Sequence, residues 1–347
     1  MFCKKCGYKL DESSHYCPFC GTKTDQEFVH KPQAKPQVTN VASQKNYDYM
    51  LKVSKTNILG FLDIGSKWLH HALIACIGYL LMYILIFAIS TTMITNAARN
   101  GIDFSCMVES EDYMTACSSS VIFAYVKASS ISQLIGELTV VAIVALMFRK
   151  YIKSMFNHFI QNKCYKWYLI GIGILYGGNI VYSILLDMLQ LTSTSTNQDA
   201  VNEVIYNMPF VGFLFVVVAA PLFEEIIFRF GVFRAFTHGN QKKVIIGLVL
   251  TTIIFAGVHM IATVQEVWAD PAAPNYEVLK SDLLSLPVYL IGAFGLTFVY
   301  YKSKNIMTSM LVHMTYNGLA FLAILSLQNV EETTQCITNL VRLIFRM

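Results

Sequence analysis

The sequence predicts an all-α polytopic membrane protein of about seven transmembrane helices, with a small zinc ribbon at its N-terminus. Three observations predict it. Mean hydropathy is +0.49 over 347 residues, and only 14% of the residues are charged, where a soluble domain carries about 25%. Successive apolar segments each approach the ~20 residues that a spanning helix needs. Before the first of them stand four cysteines in two CxxC pairs, Cys3 with Cys6 and Cys17 with Cys20.

The cysteine pairs come first in the chain. A glycine follows each pair, Gly7 and Gly21, so each can form a tight turn that presents two thiolates, and two such turns complete a tetrahedral zinc shell. A disulfide or a single redox CxxC does not explain the paired spacing. Four thiolates leave no open coordination position, so residues 1–24 are expected to hold one structural zinc and to serve as a docking module for a cytoplasmic protein partner. Residues 25–46 are polar, with two Lys-Pro pairs and no apolar period, the composition of a disordered linker. Residues 47–67 read as an interfacial segment. The opening is polar, without the basic start and apolar run of a cleavable signal.

Residues 68–347 form the membrane domain, with spans expected at 68–94, 131–148, 167–189, 209–236, 244–264, 283–301 and 306–327. Basic residues set the orientation. Arg149, Lys150, Lys153, Lys163 and Lys166 follow span two, Lys242 and Lys243 follow span four, and Lys302 and Lys304 follow span six; the alternate loops hold Arg99, Lys127 and Lys280. The first set, and the N-terminus with it, is expected in the cytoplasm of a multi-pass cell-membrane protein. Cys106 and Cys117 then lie outside, where a disulfide is compatible with their spacing but not determined by it. With seven spans, residues 331–347 also fall outside, against the run of Arg342 and Arg346. The basic residues flank spans, so no nucleic-acid partner is expected; the partner is the bilayer.

Span four contains PLFEEIIFRF from Pro221 to Phe230. A charged side chain at the bilayer centre costs about 2.5–3.5 kcal/mol on insertion scales, so such groups face one another or a polar cavity. Arg229, four residues after Glu225, can pair with it, while Glu224 lies about 100° away on an ideal helix and stays available. Span five ends its FAGVH at His259, on the face of Phe255, and span seven carries His313 and Asn317 in HMTYN. Any one such residue could be interhelical glue, as Glu137 and Asp187 in spans two and three are read. Together they supply a base for water, an assisting imidazole and donors for an oxyanion, the groups that amide hydrolysis needs. By helix count Glu224 and His259 share a level roughly 18–22 Å from their cytoplasmic ends, with His313 somewhat closer to the cytoplasm unless span seven begins within a turn of the loop. Entry is expected from the cytoplasmic side, between spans four, five and seven.

EEIIFR, FAGVH and HMTYN resemble the motifs EExxxR, FxxxH and HxxxN of the CPBP or Abi family of intramembrane proteases, across residues 201–327. That family includes the endopeptidases that trim prenylated CAAX proteins, and bacterial proteins of bacteriocin processing and self-immunity. The resemblance implies a peptidase acting on membrane-associated peptides or proteins, in which Glu224 and His259 activate water, His313 and Asn317 stabilise the oxyanion, and Glu225 and Arg229 organise the site. One Glu and two His could also hold a catalytic zinc; with no HExxH present, the metal-free reading is preferred. A non-catalytic membrane scaffold or immunity protein that keeps these residues for packing, with the ribbon recruiting a partner, is the alternative.

Overall fold

The computed structural model describes residues 68–109, 116–191, 195–237, 243–269 and 274–345, with side chains from residue 69 to residue 327 apart from 108–109, 150–151 and 154. The predicted ribbon, linker and interfacial segment lie outside the described residues. All regular elements among the described residues are helices: α1 Trp68–Arg99, α2 Ser119–Met147, α3 Arg149–Gln161, α4 Tyr165–Met188, α5 Thr196–Asn207, α6 Pro209–Thr237, α7 Val244–His259, α8 Ile261–Val267, α9 Tyr276–Leu283, α10 Leu286–Ser303 and α11 Ile306–Phe345, besides one turn at Cys106–Glu109. The protein is a polytopic α-helical membrane protein. Six spans are long and apolar enough to cross a bilayer, and α7 with α8, bent by 44° at Met260, makes up to a seventh.

One predicted boundary and one predicted contact moved appreciably. Span two begins at Ser119 rather than 131, because the polar run SSISQ is carried inside a helix: Ser130 and Ser132 return their hydroxyls to backbone carbonyls of the preceding turn and so remain helical in an apolar setting. Asp187, read as interhelical glue, is exposed one residue before the end of α4. Its side chain is turned outward instead of into a helix contact.

α6 is the centre of the bundle. Half of its apolar window is buried, against 11% for α4 and 17% for the first span, whose outer faces keep the exposed aliphatic side chains that lipid requires. Its winding departs from the ideal helix: Phe213–Ala219 and Glu225–Phe233 are π-helical, separated by Ala220–Glu224. Pro221 has no N–H to donate, and the wider i to i+5 register around it is the kind of local rewinding that recurs at functional sites. Gly231 lets α6 lie against α1, since a Cβ there would meet the Ala75 Cβ at 2.8 Å with Ala75 backbone directly behind.

Toward the end of the bundle where α10 turns into α11, Phe148, Phe230, Phe233, Val244, Tyr300 and Ile306 form one packed cluster. The turn itself is buried: Ser303, Asn305 and Ile306 are each under 5% exposed, and Asn305 donates to the Met155 carbonyl of α3 at 2.8 Å. At the opposite end, α5 packs on the first turns of α2 and the start of α6 through Val126, Val204 and Phe215.

Candidate active site

The structure brings Glu224, Glu225, Arg229, His259, His313 and Asn317 to one level of the bundle. Glu225 and Arg229 are fully buried and paired at 3.0 Å. Arg229 also donates to the Ala293 carbonyl of α10 at 3.3 Å and lies 4.7 Å from the Phe255 ring centre of α7, so one guanidinium ties three spans together. Glu225 accepts a second bond, from His313 Nδ1 at 3.0 Å. A carboxylate can only accept, so Nδ1 carries the proton and the other nitrogen of His313 is turned outward.

His313 Nε2 stands 3.8 Å from Glu224 Oε2. His259 Nε2 stands 4.0 Å from Glu224 Oε1, and both side chains are partly open, at 16% and 19%. His259 is held by its own helix: its Nδ1 donates to the Phe255 carbonyl at 2.9 Å, and its ring stacks on Phe255 at 4.5 Å. The Nε2 lone pair therefore faces Glu224. Distances of 3.8–4.0 Å exceed a direct hydrogen bond and suit a bridging water. Glu224 Oε2 has no hydrogen-bond partner. The neighbouring carboxylates are thus divided, Glu225 structural and neutralised, Glu224 uncommitted.

The last helix begins at Ile306, within a turn of Lys304, the condition under which His313 reaches the level of Glu224, and it does so because the α10–α11 turn lies inside the protein. Asn317 donates Nδ2 to the Val216 carbonyl at 2.9 Å and has a second Nδ2 hydrogen; its side chain lines the same cavity. Tyr289 was missed: its ring lies 4.7 Å from His259, and its hydroxyl bonds Ser195 at 2.7 Å. A tyrosine near the start of an apolar span carries no sign of that use. Glu137, weighed as glue, is 3% exposed with Oε2 unpartnered, and it too lines the cavity.

That cavity measures about 510 Å³ and runs from Glu224, His259 and His313 toward Ser195, Asn197, Gln198 and Asp199 of α5. It runs away from the end closed by the aromatic cluster and the buried α10–α11 turn. The carboxylate and imidazoles meet through different oxygens, and among the described residues no three His, Cys, Asp or Glu are arranged to hold a metal ion.

A polytopic bundle with a carboxylate and two imidazoles at the floor of an internal cavity defines the class. Comparison with known proteins gives the domain: residues 206–319 match the family model described as Type II CAAX prenyl endopeptidase Rce1-like, and residues 2–24 match a zinc-ribbon domain. The first match covers about a third of the chain and takes in all six candidate site residues. The UPF0177 protein YvdC of Lactococcus lactis subsp. lactis (strain IL1403) is 27% identical over 149 residues, covering 43% of this chain and 49% of that protein. The match therefore spans about half of that relative's length. No solved structure matches.

Proposed function

We propose that this protein is an intramembrane endopeptidase in which Glu224, with His259, activates a water for attack on a peptide carbonyl. The observation that carries the proposal is the Glu224 carboxylate set between two imidazole Nε2 atoms at 4.0 and 3.8 Å, beside a second carboxylate already neutralised by Arg229. Water seated between Glu224 and His259 gives its proton to Glu224 as its oxygen bonds to the carbonyl carbon. The developing oxyanion is met by the second Nδ2 hydrogen of Asn317, a donor already in place before the reaction, and by His313 in its imidazolium form, in which Nδ1–H stays on Glu225 and Nε2–H faces the site. Collapse breaks the C–N bond, and the proton held at Glu224 passes to the leaving amine.

Glu225 and Arg229 act through others: Glu225 fixes the His313 tautomer, and Arg229 neutralises Glu225 and anchors α6 to α10. A zinc ion in the N-terminal ribbon, held by Cys3, Cys6, Cys17 and Cys20, belongs to a separate structural role. The membrane site is read as metal-free, in keeping with the absence of an HExxH motif. Peptides of membranes carrying wild-type protein or Glu224→Gln test the function. Peptides produced only by the wild type are expected; identical peptide sets would reject the peptidase and favour a scaffold.

A further inference from the structure

The cavity has one closed and one open end, and two observations independent of each other say which side of the membrane the open end faces. Its rim is α5, where Gln198 and Asp199 are exposed. α5 packs against the first turns of α2, directly after the loop in which Cys106 and Cys117 form a disulfide with Cα atoms 5.4 Å apart. Disulfides persist in oxidising compartments and are rare in the cytosol. Separately, the basic loops that mark a cytoplasmic face lie at the sealed end.

The charge of the cavity is equally one-sided. Glu137, Asp199 and Glu224 line it, and no Lys or Arg is among the described lining residues. Glu225 has Arg229, but the buried Oε2 of Glu137 has no partner, while its other oxygen is within reach of Gln133 one turn away. An unpaired carboxylate inside a span is costly, and a cationic side chain entering the cavity would relieve that cost. A segment bringing its own carboxylate would meet three more.

We propose that the site takes peptide segments presented on the non-cytoplasmic side of the membrane, and that Glu137 receives a basic side chain of the segment. This rests on the peptidase reading. The test uses the full chain in intact cells, with Gln198→Cys at the rim and Lys166→Cys near the start of α4. Both are treated with a charged, membrane-impermeant maleimide, and modification is read peptide by peptide. Modification at 198 with loss of signal at 166 until the cells are permeabilised is expected; the reverse would overturn the proposal, whatever the protein's activity. Peptides that depend on Glu224 are then placed by membrane side. Cuts in non-cytoplasmic segments with Lys or Arg nearby support the proposal, and cuts confined to cytoplasmic segments overturn it. No Glu224-dependent peptides at all would remove the peptidase reading, and the substrate with it, while the side of the mouth stands on the labelling. On a lysine-bearing substrate so identified, Glu137→Gln is expected to raise KM several-fold with kcat little changed, and to leave the Lys→norleucine version of that peptide unaffected. Equal loss on both peptides would make Glu137 structural and overturn its assignment.

Discussion

The two ends of the bundle spend their polar groups differently. From the floor of the cavity to the sealed end, buried polar groups tie helices together: Arg229 joins α6 to α7 and α10, and Asn305 pins the α10–α11 turn to α3. On the cavity side the polar groups line space: Glu224, His259 and Asn317 keep hydrogen-bonding capacity in reserve toward the cavity. Glu224 and Glu225 are adjacent in sequence and fall on opposite sides of this division. One residue's difference along α6 separates a group that holds the fold from a group free to react, and the π-helical turn that starts at Glu225 is where the separation occurs.

The comparison breaks first at Glu225. Glu225→Gln leaves Arg229 buried without its counter-charge and loosens His313, so unfolding stability in detergent or lipid should fall by roughly 3–5 kcal/mol, the usual result of removing one member of a buried pair. A variant as stable as the wild type would place Glu225 with the open end. Glu224→Gln should do the opposite. Volume is kept and no partner is stranded, so the melting temperature should hardly change while hydrolysis falls by ~10²–10⁴, the range of a general base. Equal losses of stability in the two variants would erase the distinction between the carboxylates.

Asn317→Ala is expected to lower kcat by about 10² with KM nearly unchanged, as for loss of an oxyanion donor. A change in KM alone would make Asn317 a substrate contact. Metal removal sharpens the same boundary. One zinc per full-length chain, lost in Cys17→Ser, is expected of the ribbon, whereas protein lacking residues 1–46 should keep its peptidase activity after chelation. Activity of that shortened chain that is abolished by chelator and restored by zinc would put metal chemistry at Glu224.

Much of this division is written locally and was legible. The Glu225–Arg229 pair follows from i to i+4 spacing, as does the ring of Phe255 over His259. What was not legible is tertiary. The depth of His313 depends on a turn, Ser303–Ile306, that is polar enough to read as a surface loop and is nonetheless buried, because Asn305 finds the Met155 carbonyl 150 residues away. The direction of the cavity depends on which loop-borne helix roofs it, and nothing in the composition of α5 announces that it does. Glu137 looked like any isolated polar residue of a span until the cavity was seen beside it. An ideal 3.6-residue period also hides the π-helical turns, since Glu225 and Arg229 remain neighbours in either winding.

The smallest expected effect concerns the sealed end alone. His158 of α3 lies beside the buried turn, with Nδ1 3.4 Å from Asn305 Nδ2 and 3.7 Å from Cys164 Sγ, and burial lowers its pKa from 6.5 to about 4. The unfolded chain therefore binds this proton more readily than the folded one between those values. Stability from this group is complete above pH 6.5 and is lost progressively as pH falls toward 4, because protonation then favours the unfolded state. A melting temperature measured between about pH 7 and pH 5 should decline, and His158→Gln, which keeps a polar group but cannot titrate, should flatten the part due to this residue. The rim lies at the other end of the bundle, so labelling at Gln198→Cys should show no matching step. An unchanged slope in His158→Gln would move the acid sensitivity away from the α3 contact and leave the buried turn held by Asn305 alone.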